Sequence, residues 1–208
     1  MSTQTRVRLT PEEYLAIERN AETRSEYFDG EMYPMPGVSL AHAVIVTNLT
    51  IELGTQFLDR PCEILGPDLR VKIPRSSAYV YPDHIVVLGE PDAEDEHQDA
   101  LLNPLILIEV LSPSTESHDR GLKFALYRTI ESLREYVLVS QTEFRVERYL
   151  RQDDGNWRYS EVTDPGGSLE LASVACRVPL SRIYRKVDFE RAKRQSRSPS
   201  SPPSTTPH

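Results

Sequence analysis

Glu109 interrupts an otherwise apolar run, Leu105-Ile106-Leu107-Ile108-Glu109-Val110-Leu111, bounded by Pro104 and Pro113. A run that is apolar on both faces suits a central strand covered on both sides. An ionised carboxylate in such a strand is costly unless it is paired, hydrogen-bonded or bound to a metal. A buried ion pair, with Arg120 or Arg70 as partner, or a strand end that reaches solvent would satisfy it without chemistry. A second acid, Asp83, follows Pro82 at the start of another β-type run, Asp83 to Leu88. Consecutive sheet elements are usually neighbours, so both carboxylates can converge at one edge of a sheet. Two close carboxylates raise each other's pKa unless a cation sits between them. A hard divalent ion with oxygen ligands, Mg²⁺ or Mn²⁺, is the natural cation.

Lys123 is the third element. Asp119, Lys123 and Tyr127 are spaced four apart on the helix expected after the Glu109 strand, so they share one helical face. A lysine about one turn into that helix reaches back to the strand end; an exposed lysine paired with Asp119 is the plainer reading of the helix taken alone. His84 alternates with Asp83 across the pleat and is expected to point away from the acid pair.

The elements that must position these groups are legible from local signals. Thr10-Pro11-Glu12-Glu13 combines an N-cap, a proline at the first helical position and the glutamate of a capping box, and predicts a helix to about Arg19. Asp29-Gly30 between Ser25 and Met32 predicts a tight hairpin. Val46, Leu49, Leu53 and Phe57 recur at helical spacing and predict a second helix from about Leu40 to Leu58 with a Ser39 cap. Short β-runs are expected at Cys62 to Leu65 and Leu69 to Ile73. A helix is expected from about His118 to Ile130, with Leu122, Leu126 and Ile130 on one face. A strand from Glu135 to Ser140 and a hairpin of Phe144 to Leu150 with Trp157 to Val162 follow. This order predicts an α/β domain around a mixed sheet flanked by helices, with an N-terminal helix and hairpin.

The ordered set of Pro82-Asp83, then Glu109 in ILIEVLSPST, then Asp119-Arg120-x-x-Lys123-x-x-x-Tyr127 resembles the Uma-two family of restriction-endonuclease-like proteins, within the PD-(D/E)xK nuclease superfamily. SEYFDGEMYPM, the following His42 and SLREYVLVS resemble that family in order and spacing, so the likeness covers about residues 10 to 165. It implies a restriction-endonuclease-like core and metal-assisted hydrolysis of phosphodiester bonds, in DNA rather than RNA. Asp83, Glu109 and the backbone carbonyl of Val110 would hold Mg²⁺, with Mn²⁺ able to substitute. Lys123 would orient water or stabilise transition-state charge. Glu26 would be an outer ligand to metal or water, or else a surface strand carboxylate, and His42 a phosphate or water contact, or else a packed or exposed side chain of a first helical turn. The superfamily's usual lysine position, two residues after the second acid, is Leu111 here; the Uma-type pattern moves the lysine to the next helix.

Composition sets the remaining bounds. At 38% hydrophobic and 27% charged, the 208 residues belong to an ordinary globular chain, which excludes collagen-like, disulfide-scaffold and wholly disordered classes. Cys62 and Cys176 stand in no CxxC or Cys/His ligand spacing, so neither a zinc site nor a disulfide framework is readable. Ser112-Pro113-Ser114-Thr115 lacks a GxSxG elbow, and no Walker A, Rossmann or HExxH pattern is present. No stretch approaches the ~20 apolar residues of a membrane helix, and the opening MSTQTRVRLTPEEY lacks an apolar core, so the expectation is a cytoplasmic protein without a membrane partner. The net charge is −8, divided into −12 on residues 1–190 and +4 on a Ser/Pro-rich segment, 191–208, expected to be a disordered basic tail and a non-specific phosphate contact. The six acids between Glu90 and Asp99 are expected to form a solvated loop. Two function classes follow: a metal-dependent endonuclease, or a nuclease-fold protein that no longer cuts and serves as a binding or assembly module, such as a homodimer.

Overall fold

The Thr10 hydroxyl accepts a hydrogen bond from the Glu13 N–H (3.2 Å) while the Glu13 carboxylate accepts from the Thr10 N–H (2.8 Å), so helix α1 (Pro11–Glu18) starts with a complete capping box. The structure is a computed structural model and describes residues 8–113 and 115–197. Strands β1 (Ser25–Phe28) and β2 (Glu31–Pro34) meet at Asp29-Gly30, where φ is +48° and +87°. Both residues are left-handed, as a two-residue hairpin turn requires. A Cβ at Gly30 would lie 2.7 Å from Cβ of Arg8, so glycine is needed there for space as well.

Helix α2 (Leu40–Phe57) has Ser39 as its N-cap and buries Ile45, Leu49, Leu53 and Phe57. Each such side chain contributes roughly 1.5–3 kcal/mol on removal from water. Then come β3 (Cys62–Leu65), β4 (Arg70–Ile73), β5 (Ala78–Val80), β6 (His84–Leu88), β7 (Ala100–Leu101) and β8 (Ile106–Leu111). A helical segment follows in three pieces: α3 (Glu116–His118), a π-helical turn over Asp119–Lys123, and α4 (Phe124–Tyr127). The chain continues through β9 (Glu135–Ser140), β10 (Val146–Arg151), β11 (Trp157–Val162), β12 (Ser168–Leu171), β13 (Cys176–Pro179), α5 (Leu180–Ile183) and α6 (Phe189–Arg197).

The main sheet has the order β11-β10-β9-β8-β6-β3 and is mixed: β8 and β9 run parallel and the other pairs antiparallel. A second sheet, β2-β1-β5-β4-β7, joins it through Tyr81-Pro82-Asp83, the link between β5 and β6. On one face of the main sheet Ile106, Ile108, Val137 and Val139 pack with α2, α5 and the β12–β13 hairpin. On the other, Leu107, Leu111 and Leu138 pack with Tyr127, Tyr136 and residues of the second sheet. Glu109 belongs by alternation to this second face. The mixed α/β architecture and the central position of the Glu109 strand are as the sequence predicts.

Three local expectations need correction. The helix expected over 118–130 starts at Glu116, widens into a π turn and ends at Tyr127. Its inward face carries Asp119, Lys123 and Tyr127, while Leu122 is 46% exposed. Glu109 beneath it must be neutralised, and that demand outweighs burial of one leucine. The acidic 90–99 loop is tied down rather than simply solvated. Asp95 and Asp99 hold Arg19 through 2.8 Å contacts, Asp99 also pairs with Arg70, and Glu94 pairs with Lys72. Finally, the chain is helical to Arg197 rather than disordered from Arg191, and Ala192 is buried. Residues 198–208 of the expected tail lie outside the described residues, as does Ser114 of the expected turn.

His84 points away from Glu109, as alternation predicts. Its Nε2 donates to the Val46 carbonyl (3.1 Å) and lies 2.9 Å from Thr50 Oγ1, both on α2. Burial pushes the imidazole down from its usual 6.5 to about 4. The native His84 is therefore neutral, and the unfolded chain binds the extra proton first. Stability is full above pH 6.5 and is lost as pH falls through about 4. The expected loss across that window is on the order of 3 kcal/mol. Urea unfolding between pH 4 and 7 checks this; His84→Gln must remove that part of the slope, and an unchanged slope would refute the assignment.

Candidate active site

Pro82 separates β5 from β6, and the residues on either side of it are held by hydrogen bonds between a backbone N–H and a carboxylate instead of continuing a ladder. The Tyr81 N–H donates to Glu26 Oε1 (3.1 Å), on β1. Asp83 Oδ2 accepts from the Val110 N–H (2.6 Å), on β8. The ladder between β6 and β8 extends only from Ile106 to Ile108, so Asp83 takes the place of the next strand residue on that side. Asp83 and Glu109 are thereby brought to the same end of the sheet, next to the carboxyl ends of the parallel pair β8 and β9. That end of an open α/β sheet is where ligands bind.

Asp83 Oδ1 lies 2.9 Å from His42 Nε2. His42 sits in the first turn of α2, where its N–H donates to the Ser39 hydroxyl (3.0 Å), and Ser39 Oγ in turn hydrogen-bonds Gln141 just past the end of β9. The helix start, the β9 end and Asp83 are thus mutually fixed.

Glu109 Oε1 accepts from Lys123 Nζ (3.1 Å) and from the Tyr127 hydroxyl (2.8 Å). Lys123 Nζ also contacts Glu26 Oε1 at 2.8 Å and Asp119 Oδ1 at 3.5 Å. The π turn between Asp119 and Lys123 is a wide turn of a kind often found at functional sites; the Tyr136 hydroxyl braces it by donating to the Asp119 carbonyl (3.1 Å). All of Glu26, Glu109, Asp119 and Lys123 are buried. Arg120 and Arg70, the alternative partners for Glu109, are committed elsewhere. Arg120 holds Glu116 and Glu147, and Arg70 holds Asp99.

One ammonium therefore faces three buried carboxylates, with Asp83 nearby. Burial raises the Glu109 pKa well above the carboxylate range; Lys123 opposes the rise, while Asp119, Asp83 and Glu26 add to it. Asp119 is raised as well, by burial against the pull of Lys123. Burial disfavours the charged Lys123, but Glu109, Glu26 and Asp119 more than reverse this and hold its pKa above the ordinary value. Tyr127 is raised, first by burial and then by Glu109, so it is a hydrogen-bond donor at all relevant pH. The cluster holds more carboxylates than cations, which favours either a proton on Glu109 or a further cation.

These groups open into a cleft of about 870 Å³ whose lining includes Glu26, His42, Asp83, Glu109, Val110, Asp119 and Lys123. Every carboxylate, the lysine and the histidine singled out in the sequence meet here, with Tyr127 behind them. Gln141, His118 and Tyr81 also line the cleft, and the sequence did not single them out. The position of Gln141, directly after a parallel strand, was the available signal for it; Tyr81 was flagged only by its neighbour Pro82, and His118 by nothing. Among the described residues no three His, Cys, Asp or Glu side chains converge as a ready-made metal cluster. The donors nevertheless fit a hard divalent ion, because Mg²⁺ is commonly held by one or two carboxylates and completes its shell with water and substrate phosphate.

Comparison with known proteins gives the family and the fold. The family model described as "Uma2: Putative restriction endonuclease" matches residues 11–180. Two Synechocystis proteins, the uncharacterized proteins sll1609 and slr1290, are similar to the chain. The first is 38% identical over 79% of this chain and 93% of its own length, and the second 36% identical over 88% and 94%. A crystal structure from Anabaena variabilis, titled a putative nuclease belonging to DUF820, superposes with a TM-score of 0.70 at 18% identity, covering 85% of this chain and 97% of its own. That likeness shows a shared fold. Among the described residues, no helix is long and apolar enough to cross a membrane.

Proposed function

This chain belongs to the Uma2 family, and from that premise we propose that it is a metal-dependent endonuclease that hydrolyses DNA phosphodiester bonds at the Asp83, Glu109 and Lys123 site. The observation that carries the reading is the meeting of Asp83, Glu109 and Lys123, from the β5–β6 link, a strand and a helical turn, in one cleft with an excess of carboxylates. Leu111 stands where the superfamily's usual lysine would be, and Lys123 reaches Glu109 from the helix instead.

Asp83, Glu109 and the Val110 carbonyl would hold Mg²⁺ or Mn²⁺, which when bound polarises the scissile phosphate and lowers the pKa of a water ligand. A strand residue's N–H and C=O leave on the same side, so the Val110 carbonyl shares the side of its N–H, towards Asp83 and past the end of β6. His42 fixes the orientation of the Asp83 carboxylate, and Tyr127 fixes that of Glu109. Lys123 supplies a positive charge for the phosphoryl oxygens as charge builds on them. Glu26 and Asp119 keep that ammonium protonated and aimed. In the overall step water adds to phosphorus, the P–O bond to the leaving oxygen breaks, and that oxygen takes up a proton to leave as a hydroxyl.

The test is incubation of the full chain with supercoiled, linear and single-stranded DNA and with RNA, in Mg²⁺, Mn²⁺ or EDTA. Cleavage of DNA that requires metal is the expected result. Absence of cleavage of every form with either ion would reject the reading in favour of a non-cutting binding module, in which Lys123 permanently neutralises the acids.

A further inference from the structure

We infer that helix α6 is a cationic wall of the cleft that binds the sugar-phosphate backbone of DNA beside the acidic site; the inference rests on the nucleic-acid reading above. The helix is anchored as part of the domain. Asp188 caps it by accepting from the Arg191 N–H (2.9 Å), and Phe189 seats its ring 5.0 Å from Phe144 and 5.3 Å from Tyr184. Ala192 and Gln195 line the same cleft as Asp83, Glu109 and Lys123. Arg191 precedes Gln195 by four positions and so lies on the same helical face, where it is exposed.

Charge decides what this wall is for. Residues 1–190 carry a net −12, and the cleft floor is built of Glu26, Asp83, Glu109 and Asp119, with Lys123 buried among them. A polyanion approaching such a floor is repelled unless cations at the rim offset it. Helix α6 presents Arg191 on the face that lines the cleft and carries Lys193 and Arg194 on its outer side, against a single acid, Glu190, which lies 3.7 Å from Lys193. The helix lies wholly outside the segment matched by the family model, 11–180, so this backbone contact is an addition to the shared core.

Binding of a labelled DNA duplex to the full chain in EDTA, followed by anisotropy across a salt series, tests this without cleavage. In R191Q/K193Q/R194Q the slope of log Kobs against log salt should shrink by about 0.9 for each phosphate that is no longer neutralised. Gln195→Arg should steepen it by about 0.9 and tighten binding, a gain that misfolding cannot imitate. Equal slopes for wild type and the triple variant overturn the role of α6 and leave the nuclease reading standing. Failure of the wild type to bind duplex DNA, single-stranded DNA or RNA in EDTA also overturns the role of α6 and leaves the metal-dependent reading to the cleavage test, and binding of RNA alone overturns the assignment to DNA.

Discussion

Asp83→Asn lowers metal-dependent DNA cleavage by roughly 10²–10³-fold or more, the scale seen when one preorganised electrostatic partner is removed from an active site, and leaves the domain folded. The fold survives because asparagine is isosteric. Its carbonyl oxygen still accepts from the Val110 N–H, and its amide stays within reach of His42 Nε2, the two groups that Asp83 contacts. Only the charge is removed, and with it the hard anionic donor that a divalent ion requires. Plasmid nicking rates measured beside a thermal melt separate the two effects. Wild-type cleavage by the folded variant would remove Asp83 from the site.

Lys123→Met has the largest expected effect on stability. It deletes the ammonium shared by Glu26, Glu109 and Asp119 and leaves buried carboxylates without their cation. Breaking a buried ion pair from one side typically costs about 3–5 kcal/mol. The cost depends on pH in a defined direction. Glu109 and Asp119 already have raised pKa values, and loss of Lys123 raises them further. A folded-state pKa above the unfolded value gives stability that is full below the unfolded value, near 4, and is lost as pH rises through the folded one. The variant is therefore closer to wild type at pH 5 than at pH 8. Mn²⁺ should recover part of the loss, about 2.7 kcal/mol at a free concentration one hundred times the dissociation constant. Urea unfolding at the two pH values, with and without Mn²⁺, reads all three effects. A variant as stable as wild type at pH 8 would mean that the cluster does not depend on Lys123 for its charge balance.

Much of this site was visible without a structure, for a physical reason particular to each residue. Glu109 announced itself because burial of a charge is expensive and the run around it is apolar on both faces. The Asp-Gly hairpin that carries Glu26 and the Thr10 capping box were readable because turns and caps are written in two to four adjacent residues. The partner of Glu109 was not readable. Arg120, Arg70 and Lys123 were all available, and the choice depended on the π turn, which sets the phase of the helix above the strand. The pairing of His42 with Asp83 was equally hidden, since it depends on how α2 packs beside the β5–β6 link, 41 positions away.

Helix α6 shows the same division from the other direction. By composition the segment after Arg191 has no core to form, and disorder was the natural expectation. Phe189 docks on Phe144 and Tyr184, outside the segment in sequence, and that docking keeps the chain helical to Arg197 and places it against the cleft. The amino-acid sequence by itself determined the α/β class, the central strand and the balance of charge, and it singled out Asp83 and Glu109 as candidates, because these follow from local periodicity, local turn chemistry and counting. The tertiary structure decided which cation neutralises Glu109, which groups fix Asp83 and what lines the cleft, because those outcomes depend on contacts between segments far apart in the chain and on burial that no single segment sets alone.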